Sequence, residues 1–343
     1  MLSARPPPAL SLGQMQQPTA TLRRPVALAA VALAAVLALT QIRSADATPV
    51  AAAATHLASA IEDVRSSDGH TYHATDSSGR TMDAAQIVQA ADGSYLAVYH
   101  SVLADGRFHA AVATSTDLLH WQRRHDFGAG SSQPDLARAD GGRYVLAWEQ
   151  DPRNHIAVRE YRDLRALLAG DADRRYDAPL TLSRCSEGTP SITSVHGSTV
   201  ELTGHFRHDC DTDHQMRATL KNFTTWHAEP DERIDRALYE WGAGGNIGDR
   251  DPVVYQGRKL LLIEGQGSRD DFSTWRTYVY DPKSGRAVLA ALRTHGGSTA
   301  FANPSATRIT APDGRPALLV SVFLPKEGAA AGEAGQLLYW HSL

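Results

Sequence analysis

Cysteine is scarce in this sequence, since only Cys185 and Cys210 occur among 343 residues. No second cysteine pair stands at zinc-finger spacing, so a structural zinc site has little support. An excess of positive charge is also lacking, because the formal net charge is −4 and the pI is near 6.4. Nucleic-acid binding, which favours a basic face, therefore has no electrostatic basis. Phosphate-binding glycine loops and a Ser-His-Asp arrangement do not stand out either.

Long amphipathic helical patterns are absent as well, and only residues 164–168 could make a helical turn or two. Runs of five to eight strand-forming residues instead alternate with Gly, Asp, Asn and Pro turns over most of the chain. Hydrophobic residues make up 42% of the sequence, which is enough for a core. The pattern favours one large all-β domain with an extension at its N-terminal side.

The N-terminal segment has the features of an export signal. Arg23-Arg24 precede an apolar run from Val26 to Leu39, which is shorter than a comfortable membrane span. Ala45-Asp46-Ala47 supplies a small-x-small site, so we expect residues 1–47 to be a signal peptide with a long n-region, cleaved after Ala47. The predicted protein is then secreted, with no membrane contact after cleavage. An uncleaved membrane anchor is the alternative.

Residues 48–67 are rich in Ala, Thr and Ser without sustained periodicity, and we expect a flexible linker there. The folded domain is expected over residues 68–343. In an exported protein an even pair of cysteines indicates a disulfide, here between Cys185 and Cys210. Two buried free thiols are the alternative.

Five predicted hairpins belong to longer repeats that start at X-Pro entries. Pro134, Pro190, Pro252 and Pro304 stand 56, 62 and 52 residues apart, and a first unit without the proline begins near Asp83. Five repeats of this length, each with about four short strands, predict a five-bladed β-propeller whose blades bury their faces against one another. A β-sandwich with a long tail is the alternative, but it leaves the repeated entry unexplained.

Four short motifs carry a resemblance to a known family. They are Ser115-Thr116-Asp117-Leu118-Leu119-His120-Trp121, Gln133-Pro134-Asp135-Leu136, Glu187-Gly188-Thr189-Pro190 and Thr294-His295-Gly296-Gly297-Ser298. In that order they are similar to the S-x-D-L-x-x-W element, the second-blade A-P-D entry, the E-G-P with the general acid, and the G-H-x-S stretch with a central histidine. These four elements are typical of the five-bladed glycosidases of glycoside hydrolase family 43 and its relatives, which this sequence therefore resembles. The resemblance covers most of residues 80–310 and implies a propeller with glycosidase activity.

The carboxylates depart from that family's usual order of an Asp base in blade one, an Asp modulator in blade three and a Glu acid in blade four. Asp83 stands for the first. Blade three carries Glu187, and blade four carries Asp249 and Asp251 without a Glu at the entry. Either the roles are redistributed, or this is a distant family with the same architecture, or catalysis has been lost.

Glycoside cleavage needs two carboxyl groups on opposite sides of the bond, one as acid and one as base or nucleophile. We predict Glu187 as the general acid and Asp83 as the base. Asp135 is predicted as a modulator or sugar ligand, and Asp251, beside Arg250, as an alternative acid or base. Each has an ordinary alternative: a surface Glu, a turn Asp, a strand-entry cap and an ion pair.

Polar residues near these carboxylates are predicted to bind substrate. Gln133, Thr189 and Asn303 share the pre-proline position and would hydrogen-bond sugar hydroxyls, with Arg250 beside them. The resemblance implies that His295 faces the central channel and helps to hold a cation or a water. Repeat geometry alone and a solvent-exposed loop histidine are the alternatives. No protein metal site is predicted, and a central Ca²⁺ or other cation stays open.

The sequence therefore predicts a secreted, monomeric glycoside hydrolase acting on a furanoside or related plant or cell-wall glycan in the central funnel. A non-catalytic carbohydrate-binding or interaction propeller is the main alternative. A six-bladed sialidase-like enzyme is a further alternative, but it requires an arginine triad, and the entries plainly offer only Arg250.

Overall fold

A computed structural model describes residues 49–248 and 250–343. Strand-forming runs in these residues build antiparallel sheets, and the elements in chain order are α1 Pro49–Ile61, β1 Gly69–Thr71, β2 Asp83–Gln89, β3 Tyr95–Val102, β4 Phe108–Ser115, β5 Gln122–Ala129, β6 Ser131–Arg138, β7 Tyr144–Gln150, β8 His155–Tyr161, α2 Leu164–Ala169, β9 Arg174–Asp177, β10 Glu187–His196, β11 Thr199–His208, β12 Thr212–Lys221, β13 Thr225–Pro230, α3 Glu232–Tyr239, β14 Arg250–Tyr255, β15 Arg258–Gln266, β16 Trp275–Asp281, β17 Arg286–Leu289, β18 Ala302–Thr310, β19 Pro316–Leu324 and β20 Gly335–Ser342. Short 3₁₀ turns lie at Val64–Ser66, Asp140–Gly142 and Phe272–Thr274.

The described residues form five sheets of four strands each, and these sheets are the blades of a propeller. Blades one to four are β2–β5, β6–β9, β10–β13 and β14–β17, and blade five has the order β1-β20-β19-β18. The predicted five-bladed β-propeller is therefore confirmed. Neighbouring blades bury apolar residues against each other, as Leu96 and Val98 of blade one do with Leu146 and Trp148 of blade two.

The ring closes without a covalent bond, because blade five combines both ends of the folded domain. Strand β1 pairs antiparallel with β20, with Gly69 opposite Trp340 and Thr71 opposite Leu338. Position 69 needs glycine, since a Cβ there would overlap the indole ring of Trp340. Strand β1 is the outermost strand of blade five, so its pairing with β20 fastens the first strand of the domain to the last.

Helix α1 differs from the flexible linker that was expected over residues 48–67. Leu57 and Ile61 are fully buried, and they belong to a core cluster with Leu262 and Val279 of blade four. The hydroxyl of Tyr339 donates a 2.6 Å hydrogen bond to the carbonyl of Ile61. The folded domain thus begins before residue 68, because the helix fills a gap between blades four and five.

The predicted signal peptide, its cleavage site after Ala47 and the first residue of the expected linker lie outside the described residues. None of the described helices has the length and apolar character needed to cross a membrane.

The predicted disulfide is present between Cys185 and Cys210, with their Cα atoms 5.6 Å apart. It joins the segment before β10 to the turn between β11 and β12. The bond therefore ties two connections of blade three at the end of the ring where the first strands of the blades begin.

Candidate functional site

Three of the four X-Pro entries, at Pro134, Pro190 and Pro304, and the entry of blade one near Asp83 each form a β-bulge at the start of the first strand. The ladder shifts by one residue at each bulge, and the extra residue has a positive φ between 43° and 52°. These residues are Ala84, Gln133, Thr189 and Asn303. Residues other than glycine rarely adopt this backbone conformation, and such positions cluster at functional sites.

A polar residue stands two positions after each bulge residue in the first strand, and Asp251 occupies the equivalent position in blade four. The five residues are Gln86, Asp135, Ser191, Asp251 and Ser305. All of them except Ser191 line one small central cavity with a volume of about 10 Å³. That space is about the size of one water molecule. We call this set the inner ring.

Members of the inner ring hydrogen-bond to the blade that follows in the ring. Gln86 accepts a 3.0 Å hydrogen bond from the backbone N–H of Leu136, and Asp251 accepts one of 3.0 Å from Ala306. Asp135 accepts in the same way from Ile192. The buried hydroxyl of Ser191 has no hydrogen-bond partner. The equivalent donor for Ser191 would be the backbone N–H of the residue after Asp251. That residue is Pro252, which has no N–H.

The two carboxyl groups of the inner ring interact electrostatically. Burial raises the pKa of Asp135 to about 7. Burial and the nearby charge of Asp135 raise the pKa of Asp251 well above its ordinary value. Two carboxylates facing one small buried space repel each other, so the pair keeps a proton near neutral pH. The structure thus brings Asp135 and Asp251 together, and their hydrogen bonds link blades.

Glu187 lies elsewhere, because its side chain turns toward the segment that precedes β10. Its Oε1 accepts hydrogen bonds from the backbone N–H groups of Thr181, Leu182 and Ser183, at 2.5, 2.5 and 3.1 Å. Oε2 is buried without a hydrogen-bond partner. Glu187 does not line the central cavity, and its contacts brace residues 181–183.

Asp83 is the first residue of β2 and lies at the end of the ring where the first strands of the blades begin. It is half-buried, accepts a 3.0 Å hydrogen bond from the hydroxyl of Thr81, and its pKa is raised by burial. His100 stands opposite it in the β2–β3 ladder. Burial lowers the pKa of His100 to about 4, and its Nδ1 accepts a 3.0 Å hydrogen bond from the backbone N–H of Gln133.

Sequence reasoning missed Glu149 and Glu264, which repeat the arrangement of His100 in later blades. Glu149 Oε1 accepts from the N–H of Thr189 at 2.7 Å and from its hydroxyl at 2.9 Å. Glu264 Oε2 accepts from the N–H of Asn303 at 2.5 Å. Three bulge residues are thus held by a side chain near the end of the preceding blade's second strand. A charged residue closing an apolar strand was the available signal.

We call this level of the ring the mouth. Its described residues are Asp83, His100, Gln133, Glu149, Thr189, His205, Glu264 and Asn303.

The predicted amide ligands meet at the mouth. The side-chain N–H of Asn303 donates a 3.2 Å hydrogen bond to Oε1 of Gln133, although blade one lies between their blades. Thr189 is held by Glu149, and a Cβ at Gly188 before it would displace the Glu149 carboxylate from this position. The mouth therefore presents amide, hydroxyl and carboxylate groups close together.

A histidine extends the mouth into blade three. His205 Nε2 lies 3.9 Å from Oε1 of Glu149 and 3.8 Å from Oδ1 of Asp213, while its buried Nδ1 has no hydrogen-bond partner. Arg207 pairs with Asp213 at 3.1 Å. Burial raises the pKa of Asp213, but the charges of His205 and Arg207 outweigh it and the pKa is lowered. This cluster keeps a carboxylate ionised beside the mouth.

Two other predicted ligands have different outcomes. His295 is exposed at the edge of blade five, stacked on His70 at 4.5 Å and 3.2 Å from the hydroxyl of Tyr72, so the expectation that it faces the central channel is wrong. The backbone of Arg250 begins β14, but its side chain is outside the description, and its role stays a prediction. Within residues 49–248 and 250–343, no group of three or more potential metal ligands comes together.

Comparison with solved structures identifies the same architecture in known enzymes. An exo-1,5-α-L-arabinanase from a bovine ruminal metagenomic library is 13% identical with a TM-score of 0.52, covering 79% of this chain and 94% of that chain. A GH43 endo-arabinanase from Bacillus licheniformis is 11% identical with a TM-score of 0.50, covering 79% and 96%. This chain shares its fold with family 43 glycoside hydrolases.

A sucrose-6-phosphate hydrolase from Lactobacillus gasseri has the fold as well, at 14% identity and a TM-score of 0.50, covering 84% of this chain and 63% of that chain. No protein-family model and no curated protein matches the sequence. At these identities the likeness establishes the fold alone.

Proposed function

We propose that this protein is a glycoside hydrolase that cleaves a furanoside or related polysaccharide at the mouth of the propeller. The observation that carries the proposal is the meeting of Asp83, Glu149 and Glu264 with amide and hydroxyl groups at one end of the ring. Carboxyl groups around a glycosidic bond supply its acid and base, and amide groups suit sugar hydroxyls. The shared fold with solved arabinanases supports this substrate class.

Among the mouth carboxylates, Asp83 and Glu264 are the proposed proton-transfer pair. Burial raises the pKa of Asp83, which suits a group that exchanges protons near neutral pH. Glu264 is oriented by the N–H of Asn303. Glu149 accepts hydrogen bonds from both the N–H and the hydroxyl of Thr189, and Ser132 at 3.2 Å and Asn154 at 3.4 Å also donate to it, so we assign it to positioning Thr189. Asp135, Glu187 and Asp251, also predicted as catalytic, are assigned to holding the fold.

Export is part of the proposal. It is supported by the signal-like features of residues 1–47 and by the disulfide between Cys185 and Cys210, since such bonds persist in oxidising compartments. Detection of the mature chain outside the cell, with an N-terminus after Ala47, would support it. A chain retained with its leader uncleaved would contradict cleavage.

The catalytic proposal is tested with aryl arabinofuranosides, aryl xylosides and arabinan. Asp83→Asn and Glu264→Gln are expected to lower kcat by roughly 10²-fold or more, the usual contribution of a positioned acid or base. Glu187→Gln, the matched control, is expected to keep kcat within a few-fold and to lower thermal stability, because its contacts are to residues 181–183. Full activity of both mouth variants would end the assignment, and so would a collapse of kcat only in Glu187→Gln.

A non-catalytic carbohydrate-binding propeller is the second candidate. It is favoured by one observation: Asp135, Glu187 and Asp251 all accept hydrogen bonds from backbone N–H groups. In that case the wild-type chain would bind glycans in the same panel without hydrolysing any of them.

A further inference from the structure

A second concave site lies on blade three, separate from the central cavity. It has a volume of about 480 Å³, within the usual range for small-molecule sites. Strands β11 and β12 contribute Phe206, His208 and His214, Leu182 forms one side, and helix α3 forms the other with Arg236 and Tyr239. We call it the blade-three pocket.

Both sides of the blade-three pocket are held in place. Glu187 binds the backbone N–H of Leu182, and the Cys185–Cys210 disulfide ties this segment to the turn after His208. On the helix side, Asp235 lies 3.2 Å from Nδ1 of His214 and accepts a 3.1 Å hydrogen bond from the N–H of Gln215. The cavity is therefore built from braced segments, and the buried carboxyl of Glu187 has a use outside the mouth.

The chemistry of the blade-three pocket suits a sugar unit. Flat rings cluster around His214, with ring centres at 5.1 Å for His208, 6.0 Å for Phe206 and 6.4 Å for Tyr239. Tyr239 is 45% exposed despite its size. Arg236 and Asp235 place charges of both signs beside the rings. Apolar faces beside hydrogen-bonding groups match a neutral ring with hydroxyls on its rim.

The blade-three pocket and the mouth lie at the same end of blade three, where β11 ends and β10 begins. Phe206 lines the pocket, and His205, the residue before it in β11, lies near Glu149 of the mouth. Their side chains point to opposite faces of the sheet, so a chain of linked sugars that begins at the mouth would cross the end of β11 to reach the pocket.

We propose that the blade-three pocket binds a further sugar unit of an oligosaccharide whose cleaved end occupies the mouth. The proposal rests on the proposed function for its substrate class. It predicts that longer substrates gain affinity from residues that a short substrate never contacts.

The test compares Tyr239→Ala and His208→Ala with Phe272→Ala, a control whose aromatic ring is 52% exposed on blade four. The probes are an aryl arabinofuranoside, which fills only the mouth, and arabino- and xylo-oligosaccharides of two to six units. In the pocket variants we expect KM for the five- and six-unit substrates to rise about 10-fold, while kinetics on the aryl glycoside stay unchanged. The control should match wild type throughout.

Calorimetric titration with the six-unit oligosaccharides keeps this test independent of catalysis. Loss of about 10-fold in affinity in the pocket variants would support the pocket even if no hydrolysis is found, so the two proposals fail separately. Unchanged KM and Kd in both variants would overturn the pocket. Equal losses on the aryl glycoside would overturn it too, since they would indicate damage to the mouth.

Discussion

Asp251→Asn is expected to make the protein more stable at pH 8 than the wild type. Asp135 and Asp251 face one small buried cavity, and their pKa values are raised by burial and, for Asp251, by the charge of its neighbour. Ionising both therefore costs free energy in the folded state only. An asparagine keeps an oxygen for the N–H of Ala306 and removes one charge. The gain should grow with pH, because the variant lacks the carboxyl whose ionisation the folded state opposes.

The sign follows from proton binding. The folded state holds protons on these carboxyls that the unfolded state has released above about pH 4, so the wild-type stability falls as pH rises from about 4 through about 7. Asp83 contributes in the same direction, because its pKa is raised. His100 has the opposite effect on the pH dependence of stability. Its pKa in the folded state is lowered to about 4, so the protein loses stability as pH falls below about 6.5, where the histidine of the unfolded chain takes up a proton. The contributions of Asp83 and His100 cancel when the stability of the variant is compared with that of wild type at the same pH.

The measurement is Tm from pH 4.5 to pH 8.5 for wild type, Asp251→Asn and the control Asp140→Asn, an exposed residue beyond the end of β6. The curves of Asp251→Asn and wild type should diverge with increasing pH, and the control should follow the wild type. A variant less stable than wild type at pH 8, or a constant difference across the range, would contradict a buried carboxyl pair that keeps a proton.

Leu57→Ala is expected to lower the free energy of unfolding by about 2–5 kcal/mol, the usual cost of emptying a packed leucine site. Leu57 is fully buried in the cluster that joins α1 to blades four and five. Blade five is the blade in which β1 closes the ring on β20. The cavity would therefore weaken the junction on which ring closure depends.

Urea unfolding of the full chain followed by far-UV circular dichroism measures this cost. His56→Ala, on the exposed side of the same helix, is the matched control and should change stability by less than about 0.5 kcal/mol. If Leu57→Ala behaved like the control, α1 would not be part of the folded domain, and the linker expected from composition would be the better description.

The repeat pattern of the sequence is enough to predict the architecture. Strand runs joined by turns, five units and four X-Pro entries are local signals, and they specify a closed ring of blades because no blade can bury its faces alone. The disulfide between Cys185 and Cys210 was predicted from their even number and from the signal-like features of residues 1–47. Helix α1 did not follow, because its Ala-rich sequence becomes a packed helix only where two blades leave a gap for it.

The placement of the carboxylates was decided by tertiary structure. Asp135 follows its proline and Asp251 precedes its own, yet a one-residue bulge in blade two brings them to the same ladder level. Side chains alternate between the faces of a strand, so one inserted residue changes what each side chain meets. Glu187 lies before the bulge of blade three and turns to residues 181–183, whereas Glu264 lies near the end of β15 and reaches the mouth. The sequence alone determined how many blades there are; only their closure into a ring decided which acids meet.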